Sequence, residues 1–251
     1  MSGHSKWHSI RHKKGALDAK RGKLFTKLIK EITVAARTGG GDADANPRLR
    51  TAILKAKEAN MPKDNIEKAI KKGTGELEGY DLEEIIYEGY GPGGVAIMID
   101  TLTDNRNRTT AEVRSILTKS GGNLGENGCV SWIFEKKGVI TFDAAKYDET
   151  AVMEVALDAG ADDVQGDGRH WEVTTTPANF ESVKNAFIGK NMEINMSDIM
   201  RVPKTTVKLD EKTATKVLSL MEKLEDNDDV QDVASNFDIP DEILQSVEHE
   251  G

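Results

Sequence analysis

The chain has 251 residues, 37% hydrophobic and 31% charged, with a formal net charge of −9. That balance fits a soluble globular protein and excludes a disordered or fibrous one, and the length allows one large domain or two to three small ones. The charge is divided: residues 1–75 hold 18 lysines and arginines against 7 acids, a net of +11, and the other 176 residues hold 16 against 36, a net of −20. Polyanions respond to such local clusters and not to the chain average, so nucleic acid is the expected partner of the N-terminal part alone.

Residues 1–15 are basic and unpatterned and read as a mobile arm carrying Lys6, Trp7, Arg11, Lys13 and Lys14. No secretory apolar region follows this start, so a cytoplasmic protein is expected. A helix over 18–37 carries an apolar stripe of Leu24, Phe25, Leu28, Ile29, Ile32 and Ala36 beside a basic one of Lys20, Lys23, Lys27, Lys30 and Arg37. Asn46-Pro47 caps and starts a second helix, with Leu49, Ala52, Ile53, Ala56 and Ala59 inward. A third helix runs over 63–72, with Gly73 as its stop, and 73–79 is a linker. Three short helices with little apolar content make a small bundle.

The pattern then becomes α/β. Strands are expected at 84–88 and 95–102 around the Gly91-Pro92-Gly93-Gly94 turn; the run Val95–Ile99 is too short to span a bilayer. Thr109 and Glu112 suggest a capping box for the helix that follows, and 130–134 a further strand. Cys129, the one cysteine, excludes an internal disulfide and a cysteine-built zinc site, and reads as a buried structural thiol.

Residues 138–200 give strands at 139–142, 163–165, 170–175 and 192–199 with helices at 149–159 and 178–188. That βαββαβ order belongs to a ferredoxin-like unit. The flanking pieces are each incomplete; the later one has a strand at 205–209, a helix at 211–224 and an acidic tail. They should pair to cover their apolar faces. The expected fold is α+β: an N-terminal three-helix bundle plus two α/β domains, one discontinuous and one inserted ferredoxin-like βαββαβ. The bounds are 1–78, 79–136 plus 203–251, and 137–202.

The chemistry points to nucleic acid. Cations of the arm suit phosphates and Trp7 suits base stacking; the competing reading is a tail whose Trp7 docks back on the protein. The lysines of the first helix have few acids interspersed, which suggests that their anions come from a partner, and Arg48 and Arg50 add to the same field. Between strand and helix, Asp104-Asn105-Arg106-Asn107-Arg108-Thr109-Thr110 sets Arg106 and Arg108 at a helix N-terminus, where an external anion would relieve the opposed dipole. The alternative is that Asp104 and the asparagines serve turn geometry. His4, His8 and His12 lack carboxylate or cysteine company, so no metal is expected. No nucleophile elbow, P-loop or zinc-protease motif occurs, so no catalytic residues and no cofactor are expected. Asp226–Asp229 reads as solubilising surface.

Several motifs carry a resemblance. Met1–Trp7, Asp18–Ile32, Asn46–Arg50, Asn60–Ile66, Tyr87–Pro92 and Leu102–Thr109 resemble the YebC/PmpR family, from Met1 to at least Phe142 and less distinctively beyond. Cys129 departs from it, standing where the pattern leads one to expect serine. The resemblance implies a helical first domain and two α/β domains. The family is described as probable transcriptional regulators that bind DNA; its mitochondrial relatives activate translation, and bacterial members are linked to ribosomes stalled on proline-rich sequences. The expectation is a non-enzymatic, monomeric regulator of gene expression that binds duplex DNA, with ribosomal RNA or the ribosome as the alternative partner and no membrane partner.

Overall fold

The computed structural model describes Trp7, residues 18–79 and residues 81–239, giving the backbone alone for 18–20. Three helices come first: α1 (Asp18–Gly39), α2 (Pro47–Glu58) and α3 (Lys63–Thr74). Asn46 caps α2 as its type and position demand, its side chain accepting from the Leu49 N–H at 3.1 Å. Leu28, Ile32, Ala35, Ala36, Leu49, Ala52 and Ala56 form the core between the helices with Ile66 and Ala69. Gly73 does not stop α3. It lies inside the helix at its contact with α1, where an added Cβ would fall 2.4 Å from the Thr33 carbonyl oxygen. The stop is Gly75, at φ 82°.

The first sheet has the order β3-β1-β2-β9, from β1 (Glu83–Tyr90), β2 (Ala96–Thr103), β3 (Asn123–Leu124) and β9 (Val230–Ser235). The predicted Gly91–Gly94 turn joins β1 to β2 in antiparallel register, Tyr90 opposite Ala96. Helix α4 (Arg106–Lys119) and a later helix, α7 (Glu211–Glu225), bring Val113, Leu117, Val217, Leu220 and Met221 against Val95, Ile97 and Ile99. On the opposite face, Ala96 and Met98 meet Val130, Ile133 and Phe134. Burial on both faces explains why 95–99 is an unbroken apolar run.

The second sheet, β5-β6-β4-β7, comprises β4 (Phe134–Asp143), β5 (Asp163–Gly166), β6 (His170–Thr175) and β7 (Met196–Pro203). All its pairings are antiparallel, the arrangement of a ferredoxin-like βαββαβ unit. Helices α5 (Glu149–Asp158) and α6 (Phe180–Gly189) cover one face, where Phe142 meets Phe187 at a ring-centroid distance of 4.5 Å. The mixed α+β architecture is the expected one.

Several local expectations need correction. Helix α4 begins at Arg106 and not at a Thr109 capping box: Asn105 is the cap, accepting from the Arg108 N–H at 3.1 Å. Residues 131–133 form a 3-10 turn, and the strand begins at Phe134 and runs through position 137. The last strand of the inserted unit starts at Met196, four residues late. The segment after α7 is no acidic tail as far as residue 239. It supplies β9, antiparallel to β2 with Val233 opposite Ile99, and β10 (Phe237–Asp238), which pairs with β8 (Val207–Lys208).

Candidate nucleic-acid interface

Three lysines of the basic stripe of α1, Lys23, Lys27 and Lys30, are directed at the body of the protein and not away from it. They lie along the C-terminal end of α7 and the turn after it, Glu225-Asp226-Asn227-Asp228-Asp229. Lys23 donates to the Asp226 carbonyl oxygen at 3.1 Å, and Lys27 to that of Glu225 at 2.5 Å. Lys30 reaches the Asp228 carbonyl oxygen at 2.9 Å and Asp229 Oδ1 at 2.6 Å. A helix C-terminus presents unpaired carbonyls and the negative end of the macrodipole, so three ammonium groups satisfy both there. The anions expected from a partner are, in this conformation, supplied by the chain itself.

Trp7 converges on the same place. It is 1% exposed, sits in the core of the first sheet, and donates from Nε1 to Glu225 Oε1 at 3.0 Å. Its expected role as an exposed stacking residue on a mobile arm is corrected: the indole is docked on the body, where burial of a large aromatic outweighs exposure. Lys6, Arg11, Lys13 and Lys14 lie outside the described residues, as does the side chain of Lys20.

Asp229 is the hub of this contact and was invisible as such in the sequence. Its side chain is 5% exposed. Oδ2 accepts from Arg108 at 2.8 Å, Thr109 at 2.7 Å and Thr103 at 3.2 Å, while Oδ1 holds Lys30. Burial alone would push this carboxyl up, but the hydrogen bonds from Lys30, Thr109 and Arg108 outweigh it and hold it at about 2. Asp229 is therefore ionised and structural, which corrects the surface reading at that position, while Asp226 and Asp228 are exposed as expected. Arg108 pairs also with Asp104 at 2.9 Å, so in this conformation the cation at the start of α4 is balanced within the chain. Arg106, two residues earlier, is exposed.

The remaining cations divide between attachment and exposure. Arg48 bridges Glu31 of α1 at 2.8 Å and Glu84 of β1 at 2.9 Å, and the two carboxylates raise its pKa. Arg50 is exposed and donates to the Ala43 and Asp44 carbonyls at 3.3 Å. Arg21 is exposed at the start of α1. Lys23, Lys30, Lys72, Arg108, Asp226 and Asp229 line one cleft of about 670 Å³ between the helical bundle and the first sheet. No group of three or more histidine, cysteine or acidic residues among the described residues could hold a metal ion. No helix among them is long and apolar enough to cross a membrane.

One further acid is tied down by the backbone. Glu88 is 6% exposed, and its carboxylate accepts from the N–H groups of Gly128, Val130 and Ser131 at 2.7–2.8 Å. Burial raises its pKa, but the three backbone donors lower it further, to a net depression. It shapes the Cys129 loop, where the thiol is half-buried and Trp132 stands 68% exposed.

These features define a class: an α+β protein in which a basic helical module is clamped by ion pairs onto two antiparallel sheets. Comparison with known proteins makes that particular. The model of the TACO1/YebC protein N-terminal domain matches residues 5–76, and that of the TACO1/YebC second and third domain matches residues 82–237. The chain belongs to the TACO1/YebC family. A protein of Geobacter sulfurreducens named a "probable transcriptional regulatory protein" is 60% identical over 247 residues, spanning 98% of this chain and all of that one. One of the same description from Syntrophus aciditrophicus is 58% identical, over 98% of this chain and 99% of that one. The crystal structure of a conserved hypothetical protein from Aquifex aeolicus superposes with a TM-score of 0.80 at 54% identity, covering 91% of this chain and 94% of that one.

Proposed function

We propose that this protein is a non-enzymatic, nucleic-acid-binding regulator of gene expression, acting as a monomer through its N-terminal module. The observation that carries this reading is the segregation of charge, +11 over residues 1–75 against −20 over the rest. Phosphates would be drawn to the helical module and repelled by the body. The contacts are assigned to Lys6, Arg11, Lys13 and Lys14, to Lys20, Arg21, Lys23, Lys27 and Lys30 of α1, to Arg48 and Arg50, and to Arg106 and Arg108. The names of the relatives favour transcriptional control, and duplex DNA is the ligand proposed for that role. The same reading takes 1–78, 79–136 with 203–251, and 137–202 as three folding units.

A specific observation keeps a second ligand in play. The exposed side of α2 and α3 carries Arg50, Lys57, Lys68 and Lys71, which suit phosphates better than base edges, and no polar recognition row lies between them. Structured RNA, as on a ribosome, suits such a surface equally. Crosslinking in cells followed by sequencing of bound DNA and bound RNA separates the two: enrichment at promoters supports the DNA reading, and enrichment on ribosomal RNA replaces it. Affinity for either ligand should fall steeply between 50 and 200 mM salt, by roughly tenfold or more. Absence of enrichment on both would overturn the proposal.

A further inference from the structure

Two separate elements of the N-terminal region, Trp7 and the lysine row of α1, end on the same five-residue stretch, the last residue of α7 and the turn after it. The stretch holds four acids in five positions. It is fixed from the body side: Asp229 donates its N–H to Asn227 Oδ1 at 2.9 Å, Asn227 donates to Glu112 at 2.7 Å, and the Asp229 carbonyl accepts from Leu102 at 2.8 Å. The turn therefore does not owe its shape to the lysines. It presents a rigid row of oxygens to ammonium groups that lie on one face of a helix, over about 10 Å from Lys23 to Lys30. Three of these acceptors are main-chain carbonyls and the fourth is the Asp229 carboxylate; a phosphodiester backbone likewise offers acceptor oxygens repeated along a line, with full negative charge in place of the carbonyl dipoles. The Lys23 and Asp226 side chains remain 48% and 59% exposed, so the outer end of the row is open to exchange.

We propose that the acidic turn 225–229 is a built-in competitor of nucleic acid: it occupies the lysine face of α1 in the closed form, and a phosphodiester strand must displace it to bind. This rests on the reading of α1 as a nucleic-acid contact and adds its regulation. In the closed form the Lys30 side chain is 17% exposed against 48% for Lys23, so the inner end of the row is covered more than the outer. The open form frees Lys23, Lys27 and Lys30 together and removes the nearest block of negative charge. Binding and domain separation are then linked, so whatever weakens the turn tightens the complex.

The test is a reversible comparison of the clamped and unclamped chain. In a Cys129→Ser background, Lys23→Cys and Asp226→Cys are joined by a short bismaleimide, and the same variant with each thiol capped singly by N-ethylmaleimide is the reference. Both forms lack the same two charges, so only the clamp differs. Affinity is read by fluorescence anisotropy at fixed salt with a 30-base-pair DNA duplex and, separately, a 30-nucleotide RNA hairpin. The clamped form should bind at least tenfold more weakly than the capped form with whichever probe the protein prefers. Equal affinity of the two forms would overturn the competitor.

A second variant removes charge without a clamp. Asp226→Asn with Asp228→Asn should bind at least fivefold more tightly than wild type, while the charge-matched Glu154→Gln with Asp158→Asn, on exposed α5 positions, should change less than twofold. Equal gains in both variants would reduce the effect to net charge and overturn the proposal. If wild type binds neither probe, the nucleic-acid reading fails first and this inference falls with it.

Discussion

The helical module and the ferredoxin-like unit are held in place by opposite means. The core of the second sheet is aromatic: Phe142, Phe180 and Phe187 pack with Val152, Val173 and Val183. The core of the bundle is half alanine, with Ala35, Ala36, Ala52, Ala56 and Ala69 among its ten buried residues. Small side chains let helices approach closely but bury little apolar area. What fastens the bundle to the body is mostly charge: Lys23, Lys27 and Lys30 on the turn after α7, Arg37 on Asp81 and the Leu82 carbonyl, Arg48 on Glu84, and Lys55 on Asp198 at 2.7 Å. Among the described residues of the bundle, an apolar seam to the body is formed by Val34 against Leu82 and Leu102. A module attached in this way can be released by competing ions, whereas the second sheet cannot.

The comparison breaks most visibly at Phe142. Phe142→Ala should cost about 3–5 kcal/mol in urea unfolding, because its ring is fully buried against Phe187. Hydrogen exchange should assign the loss to the second sheet, with α1–α3 unaffected; equal loss in the bundle would show that the two regions are not independent. Next in size is Asp229→Asn, expected to cost about 2–3 kcal/mol by leaving Lys30 and Arg108 without their buried acceptor. The pH dependence has a definite sign. The folded pKa of Asp229 lies at about 2, below the usual 3.8, so its stabilisation is complete above about pH 4 and lost as pH falls through 2. Acid melting monitored on α1 should show this step in wild type and lose it in the variant.

Gly73→Ala comes third. Its methyl would meet Thr33 and Ala36 of α1, so a loss of about 1–3 kcal/mol is expected in the bundle alone. Unchanged thermal unfolding would show that α1 and α3 can separate without strain. The smallest effect is that of Lys55→Ala, about 0.2–1 kcal/mol for a half-exposed pair. It sharpens the comparison through salt: 1 M NaCl should speed hydrogen exchange in α1 of wild type while leaving β4 and β6 unchanged.

Local elements were legible because their signals are local. Asn46-Pro47 names the start of α2, and the alternation and turn residues from His170 to Thr175 place β6 without error. The failures have physical causes. Thr109 and Asn105 are both competent caps, and the choice fell to Asn105 because the Thr109 hydroxyl is drawn into the Asp229 network. Residues 230–235 hide a strand behind four acids, since β9 is stabilised by pairing with β2, 129 to 138 positions earlier, with a register shift at Asp100/Thr101 that disturbs its alternation. In the candidate interface the cations were all visible and their partners were not. Trp7 showed the limit most clearly: an aromatic in a basic arm reads first as a stacking residue and only second as a docked anchor, and a pocket distant in sequence reverses that order.

The amino-acid sequence by itself determined the charge division, the amphipathic faces of the helices and the antiparallel order of the inserted unit. Each follows from spacing, capping and turn chemistry within a few residues. Tertiary structure alone decided where the lysines of α1 point, because the oxygens they meet lie about 200 positions away and include main-chain carbonyls at a helix end, which every residue type possesses. A backbone acceptor leaves no mark in a sequence. It becomes a partner only when the fold brings the end of a helix to the cation.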